Sequence, residues 1–387
     1  MKIKIARIIT RMDLGGAQNA VLFLSGGLDN AQFDQLLITG DGGLLLSEIS
    51  NVPLLRHYIV PELSRSIGLF SVWMDLKAIL KIRTIIKWEK PFIVHTHTPK
   101  AGIIGRWAGW LAGVPVIIHT YHGFGFGDSV VWWKKLLYIC LERITAHLTT
   151  GFVVVSEKNL RKGESYGLFR RQDCSLIRSG VETSSFSRVP PVTSSKKVEL
   201  NFETTDRIVG TVASLKPPKA LHLLIRVAKM VSSQVTGVKF LIVGDGELRP
   251  QLESQIRELQ LESVVRLIGW RQDVPDLLRV FDLFVLTSLW EGLPRVLVEA
   301  SLTGVPVVAF DVDGVSEVIV QGRNGFLVAP GDLDAMAKRI VELLNNEALR
   351  SSLGQGSCFP PDEFSVERML KKHTLLYLRF ASRLGLA

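Results

Sequence analysis

A chain of 387 residues with 47% apolar content is too long for one ordinary core and rich enough in apolar residues to fill two. No run reaches the ~18–20 apolar residues that cross a bilayer, the opening MKIKIARIIT alternates like a strand and lacks a leader's cleavage region, and Cys140, Cys174 and Cys358 are spaced for neither a disulfide nor zinc. The net charge of +9 is lopsided: residues 1–185 carry 22 Lys and Arg against 14 Asp and Glu, whereas residues 186–387 carry 24 against 23.

In chain order the pattern is strand, then helix. Apolar, β-branched runs stand at Ile3–Ile9, Gln35–Thr39, Phe92–His97, Val114–Thr120, Phe152–Ser156 and Ser175–Ile177, and helical periodicity separates them at Ala17–Leu28, Val72–Trp88, Lys100–Ala112, Val131–His147 and Glu157–Tyr166. Residues 187–205, SRVPPVTSSKKVELNFETT, break the pattern and read as a linker. Alternation resumes with strands at Ile208–Ala213, Lys239–Val243, Val265–Ile268, Leu283–Thr287, Val305–Phe310 and Phe326–Val328. Helices at Leu221–Val231, Leu248–Leu259, Arg295–Leu302 and Leu333–Leu344 lie between them, and a last amphipathic helix spans Val366–Ser382. Such alternation implies parallel sheets covered on both faces. The expected domains are 1–186, a linker 187–205, 206–361, and a C-terminal helix 362–387 that packs back on the first domain. Two doubly wound domains bind ligands at the carboxyl ends of their strands.

Chemistry concentrates in EGLPRVLVEASLTGVPVVAF, where seven residues separate Glu291 from Glu299. Glu291 follows a buried strand, and Glu299 lies inside a helix that Pro294 is placed to start. A free helix start near Leu293 favours a phosphate beside Gly292 and Leu293. Glu299 can accept two hydroxyl bonds from a diol such as ribose. The pair makes a poor hydrolase dyad, which needs carboxylates facing each other across a bond. Two surface acids near a helix start explain the pair equally well taken alone.

The neighbouring segments decide otherwise. VASLKPPKALHLLI, FLIVGDGELRPQLE, VRLIGWRQDVPDLLRVFDLFVLTSLWEGLP and GVPVVAFDVDGVSEVIVQGRNGFLVAPGD follow in order, preceded by ITRMDLGGAQNAVLFLSGGL and VHTHTPKAGIIGRWAGWLAGVPVIIHTYHGFGF. Together with the E-x7-E spacing, these blocks resemble the retaining glycosyltransferases of family 4, of the type that builds bacterial surface polysaccharides, over nearly the whole chain. The resemblance implies a GT-B fold: two Rossmann-like domains facing a central cleft, acceptor in the first, sugar nucleotide in the second, no essential metal and no other cofactor. It implies that Glu299 binds ribose, that Glu291 reaches the transferred sugar beside the amides of Gly292 and Leu293, and that Lys219 neutralises the diphosphate. Gly15 and Gly16 resemble the glycine pair of the first-domain loop. Backbone groups at Trp270 and Arg271 would read the base, and Gly244 joins the same donor set.

One segment departs from the family pattern. ASLKPPKA puts Ser214 where the family carries an arginine and Ala220 where it carries a glycine, and Lys216 is the candidate to replace the missing cation. An inactive homologue, a silent sugar-nucleotide-binding partner subunit, is the alternative that this departure motivates. His122, in a glycine-flanked loop after a strand, resembles the family's acceptor-side histidine. His95, His97 and His119 lie close in sequence, but no carboxylate or cysteine completes a metal set, so His97 is placed near the acceptor and no metal is expected. GDGE lacks the sixth-position glycine of a dinucleotide fingerprint, where Arg249 stands, so a redox cofactor is not expected.

Six of the eight tryptophans fall in the first 133 residues, the basic half. No nucleic-acid motif accompanies the charge, whereas Trp and Lys are interfacial residues on anionic membranes. Two helices fit that use. Lys77, Lys81, Thr84 and Trp88 share a stripe beside an apolar face of Val72, Leu76, Ile79 and Ile86, and VVWWKKLLYICLERITAHL sets a Trp pair beside a Lys pair. Simple coverage of a sheet is the plainer reading of both. The sequence thus reads as a cytoplasmic glycosyltransferase, peripheral on the inner face of the membrane. It would move a hexose or N-acetylhexosamine from a UDP-linked donor to a glycan or polyprenyl-diphosphate-linked acceptor, with a sugar-nucleotide epimerase as the same-fold alternative.

Overall fold

The computed structural model describes residues 2–64, 69–124, 131–186, 193–355 and 359–385; Cys358 and the proline-rich start of the expected linker, residues 187–192, lie outside them. The chain divides into two compact units, Met1–Gly180 with Val366–Ala387, and Val181–Ser365. The division falls at Gly180 rather than at residue 186, because Val181 bridges Ser365 and its N–H donates to the Phe364 carbonyl at 2.7 Å.

The first unit has strands β1 (Ile3–Ile9), β2 (Phe33–Thr39), β3 (Arg56–Ile59), β4 (Ile93–His97), β5 (Val116–Tyr121), β6 (Gly151–Val154) and β7 (Cys174–Leu176). Its helices are α1 (Gly16–Gly27), α2 (Leu46–Ser50), α3 (Leu69–Glu89), α4 (Pro99–Ala112), α5 (Trp132–Ala146), α6 (Glu157–Ser165) and, from the far end of the chain, α14 (Val366–Arg383). The strands pair in parallel in the order β3-β2-β1-β4-β5-β6-β7. Every residue of β4 and β5 is buried, as a parallel sheet covered on both faces requires. On one face α1 and α14 close a core around Leu24, Phe33, Met369, Leu376 and Phe380. On the other, α3 and α4 pack Ala78, Ile82, Ile86, Ile104 and Ala108 against β1, β2 and β4.

The second unit holds α7 (Thr193–Glu199), β8 (Arg207–Val212), α8 (Leu221–Ser232), β9 (Val238–Val243), α9 (Arg249–Glu258), β10 (Val265–Leu267) and α10 (Val274–Arg279). It continues with β11 (Leu283–Leu286), α11 (Arg295–Thr303), β12 (Val307–Phe310), β13 (Gly325–Val328), α12 (Leu333–Asn345) and α13 (Glu347–Gln355). Its parallel sheet runs β10-β9-β8-β11-β12-β13. Helix ends follow capping chemistry. The Asp332 carboxylate accepts from the Ala335 N–H at 2.9 Å to start α12, and left-handed Gly304 (φ 82) ends α11 while the Val305 N–H returns to the Ala300 carbonyl.

Three expectations change. The short elements β3, α2, α10 and α13 were not apparent from periodicity. The linker is shorter than 187–205, because α7 lies within it: Lys197 Nζ donates to the carbonyls of Thr204 (3.1 Å) and Asp206 (2.7 Å), while Leu200 and Phe202 are buried. In α3, Val72 and Leu76 are 55% and 50% exposed whereas Ile86 is buried, so the four residues read as one apolar face do not share an environment.

Candidate active site

The second sheet changes winding direction between β8 and β11, which are neighbours although β9 and β10 separate them in the chain. Ligands bind open α/β sheets beyond the carboxyl ends at such a switch point. The segments that leave these two strands are stitched together there. Thr287 Oγ1 donates to the Lys219 carbonyl at 3.0 Å, and the Leu289 N–H donates to the Pro218 carbonyl at 2.9 Å. Lys219 Nζ then meets Glu291 Oε1 at 2.5 Å. The Glu291 N–H donates to Asp313 Oδ2 at 2.8 Å, and the Gly314 N–H to the Gly292 carbonyl at 3.2 Å, so the loop after β12 fixes the same turn.

Helix α11 starts at Arg295, as the expected span Arg295–Leu302 has it, with extended Pro294 as its N-cap, so its free end lies two residues beyond Leu293. A residue that precedes proline is driven out of the helical region, which keeps Leu293 outside. No side chain caps this end and no acid lies in the first turn, so its N–H groups and positive dipole end carry no side-chain anion. Glu299 sits one turn further in, buried, with Oε1 3.7 Å from Arg295 Nη2. Burial raises its pKa above the ordinary carboxyl value, and the Arg295 charge opposes that rise.

The other residues expected on the donor side lie on the segments that leave the neighbouring strands β8, β9 and β10. Ser214 and Lys216 are half-buried on the segment after β8, where the Lys216 N–H donates to the Ser214 carbonyl at 2.8 Å and the Lys219 N–H to the Lys216 carbonyl at 3.0 Å. Ala220 adopts a left-handed conformation (φ 44, ψ 41), the conformation that glycine takes without cost, at the very position where the resemblance has glycine. Gly244 (φ 131) has no room for a side chain, since a Cβ would lie 2.0 Å from the Ala213 carbonyl oxygen. Its N–H donates to the Gly269 carbonyl at 2.8 Å, which brings it beside the loop of Trp270 and Arg271. The Arg271 guanidinium is committed elsewhere, bidentate to Asp273 (2.7 and 2.7 Å) and to Glu199 (2.9 Å).

In the first unit the switch point lies between β1 and β4. Gly15 and Gly16 follow β1 and open α1, again without a capping side chain. His97 ends β4 and His122 follows β5; His97 Nδ1 and His122 Nε2 are 3.0 Å apart. Enclosure holds both imidazoles neutral: burial pushes His97 well below the usual histidine value and His122 down to about 3. One ring therefore donates to the other, and the tautomer of each is set by its partner. His95 is bonded on both nitrogens, to Tyr377 and Thr120 at 2.7 Å each, and His119 Nδ1 meets Thr96 Oγ1 at 2.8 Å. These two belong to the packing of the sheet. Among the described residues, no three His, Cys, Asp or Glu side chains are grouped to hold a metal ion.

The structure adds residues that sequence reasoning missed. Arg295 stands four before Glu299 on one helix, a spacing that announces the pair. Asp313 carries no such signal, since it reaches Glu291 from another loop at positive φ (35).

Comparison with known proteins gives this arrangement a family. Residues 14–185 match the profile of Glycosyltransferase Family 4, and residues 192–357 that of Glycosyl transferases group 1. An Escherichia coli protein named UDP-Gal:alpha-D-GlcNAc-diphosphoundecaprenol alpha-1,3-galactosyltransferase is 33% identical over 353 residues, covering 90% of this chain and 89% of its own. The chain belongs to glycosyltransferase family 4. A capsular polysaccharide glycosyltransferase of Staphylococcus aureus, CapM, is 30% identical over 77% of this chain and 78% of that protein. Among solved structures, Anabaena HepE in complex with UDP and glucose superposes with a TM-score of 0.79 at 21% identity over 97% of this glycosyltransferase and 99% of that chain. The fold is GT-B, as expected from the sequence.

Proposed function

We propose that this family 4 glycosyltransferase transfers a hexose or N-acetylhexosamine, with retention, from a UDP-sugar to a polyprenyl-diphosphate-linked glycan in surface polysaccharide synthesis. The observation that carries the reading is the pairing of Lys219 with Glu291 at the switch point of the second sheet, beside the uncapped start of α11. The diphosphate lies against that helix end and Lys219, which stabilise the charge that builds as the sugar's anomeric carbon leaves the β-phosphate oxygen. Glu291 takes hydroxyls of the transferred sugar and Glu299 the ribose diol; backbone at Trp270 and Arg271 meets the base, and Lys216 supplies the cation that Ser214 lacks. The acceptor hydroxyl forms the new bond to the anomeric carbon on the face the phosphate leaves, and its proton passes to the departing phosphate oxygen. His122, neutral and bonded to His97, acts as a hydrogen-bond partner on the acceptor side rather than as an acid. No metal is assigned a role. The lipid-linked acceptor is supported by the activity for which the Escherichia coli relative is named, and UDP by that name and by the ligand of the Anabaena structure. An acceptor of this kind brings the enzyme to the anionic inner surface of a membrane.

The test is UDP release from UDP-sugars with and without a polyprenyl-diphosphate sugar, followed by the anomeric configuration of the product. The expected result is UDP formed only with the lipid-linked acceptor and an axial bond conserved from the donor. UDP release that needs no acceptor, an inverted product, or no turnover with any UDP-sugar overturns the reading, and the last outcome favours the silent partner subunit.

A further inference from the structure

Helix α5 is inside out. Its inward residues include Glu142 and Thr145, 0% and 1% exposed, together with Ile139. Glu142 Oε2 accepts from Arg106 Nη2 of α4 at 2.7 Å and from the Tyr121 hydroxyl of β5 at 2.8 Å. Its outward face carries Trp132, Trp133, Leu136, Leu137, Leu141 and Ile144, each between 44% and 74% exposed. These positions step by three and four residues and form one continuous stripe. A helix that merely covers a sheet has the opposite arrangement, polar outside and apolar inside. Nor is the stripe isolated. Helices α3, α4 and α5 cross the sheet in the same direction and so cover the same face, and Trp73, Trp88 and Trp110 stand exposed (69%, 83% and 52%) on the first two.

We propose that this face, with α5 as its inserting element, docks on an anionic lipid bilayer. Charge names the occupant. The only acid of α5 is the buried Glu142, while Lys134, Lys135 and Arg143 lie along the same helix, and Lys134 Nζ sits 5.3 Å from the centre of the Trp133 ring. Tryptophan beside lysine matches the boundary between headgroups and acyl chains, where the ring is half-dissolved and the ammonium meets phosphate. A second copy of this chain would bring like charges together across the stripe. Protein interfaces bury few lysines at their centre. No helix of the described residues is long and apolar enough to cross a membrane, so the mode is lateral insertion, with α5 lying in the plane of the surface. Helix α5 is the first helix after β5 and His122 in the chain and covers the same face as α4, so the docked face sets the acceptor side of the enzyme near the lipid. That last step rests on the acceptor proposed above; the lipid contact itself does not.

The experiment mixes the purified full chain with vesicles of phosphatidylcholine alone, or of phosphatidylcholine with phosphatidylglycerol, and measures flotation, tryptophan emission and UDP-induced thermal shift on the same samples. The expected result is binding to the anionic vesicles, weakened by salt, with a blue shift in emission. The double variant L136Q/L137Q should bind about tenfold more weakly, and K134E/K135E should lose the preference for anionic lipid. Both variants should keep the wild-type melting point, since all but the half-buried Lys135 point outward. L375Q, an exposed leucine on α14 of the opposite face, should bind like the wild type. Absence of binding to anionic vesicles, or equal binding by L136Q/L137Q and the wild type, overturns the proposal. So does a dimer in solution that the same variants dissociate, which would assign the face to a second copy. Loss of the UDP shift in the unaltered chain would instead sink the donor-site reading and leave the lipid result standing.

Discussion

Lys219 and Glu291 are 72 positions apart and meet at 2.5 Å because adjacent parallel strands deliver both loops to one point. Lys219→Ala should therefore raise the Kd for UDP about 30-fold, the loss of one charge-assisted contact worth about 2 kcal/mol. Lys229→Ala, whose Nζ bonds the distant Leu259 carbonyl, should leave Kd unchanged in the same calorimetric titration. Glu299 adds a pH signature. Its burial raises the pKa, so the carboxylate proposed to hold the ribose diol is protonated earlier on acidification than a free glutamate. UDP affinity should fall as pH drops toward that raised value, and Glu299→Gln should flatten the dependence. The two glutamates could be singled out from local pattern alone (strand end, helix start, E-x7-E), whereas Lys219 and the glycines entered only through the family resemblance. Asp313 was not, since only the tertiary approach of the loop after β12 joins it to Glu291. Nor does the spacing reveal that Arg271 is spent on Asp273 and Glu199.

At the scale of elements, strand–helix alternation was readable throughout because both sheets are parallel and buried, so each strand is a near-continuous apolar run. The missed pieces are short or mixed in composition. The four residues of β3 lie on the edge of the sheet and are only partly buried, and α7 hides among serines and lysines with Leu200 and Phe202 as its anchors just beyond its end. Helix α5 was located correctly, but its periodicity gives two stripes and cannot say which one faces in. The buried Arg106–Glu142 pair decides that. Glu142→Ala leaves Arg106 charged and unpaired at 0% exposure and should cost about 3–5 kcal/mol in denaturant unfolding, whereas Glu142→Gln keeps a hydrogen-bond acceptor and should cost less. A stabilising change is available at the end of α9. Exposed Gln260 holds φ 57 as the Leu261 N–H returns to the Ile256 carbonyl, a place glycine fills without strain. Gln260→Gly should stabilise the second unit by about 1 kcal/mol and raise its Tm by roughly 2–4 °C in calorimetry.

For the whole molecule, ionisable burial is as lopsided as charge. His95, His97, His119, His122 and His373 are all in the first unit and all held below the ordinary histidine value by burial, His373 at about 4 and His122 at about 3. The second unit has one histidine, His222. Below pH 6.5 the unfolded first unit takes up protons that the folded one refuses. Its stability is therefore complete above about pH 6.5 and falls as pH drops toward 4, by up to about 1.4 kcal/mol per pH unit for each such group. Calorimetry across that range should show one transition descending well before the other, and His373→Asn should make the descent shallower. The last helix gives the two units a temporal order as well. Tyr377 bonds His95, and Met369, Leu376 and Phe380 close the core around β1 and β4, yet α14 is made only after every residue of the second unit. During synthesis the first 180 residues thus leave the ribosome with α1 in place but with the part of that sheet face which α14 covers still open, and the first unit completes its core only when translation is nearly finished.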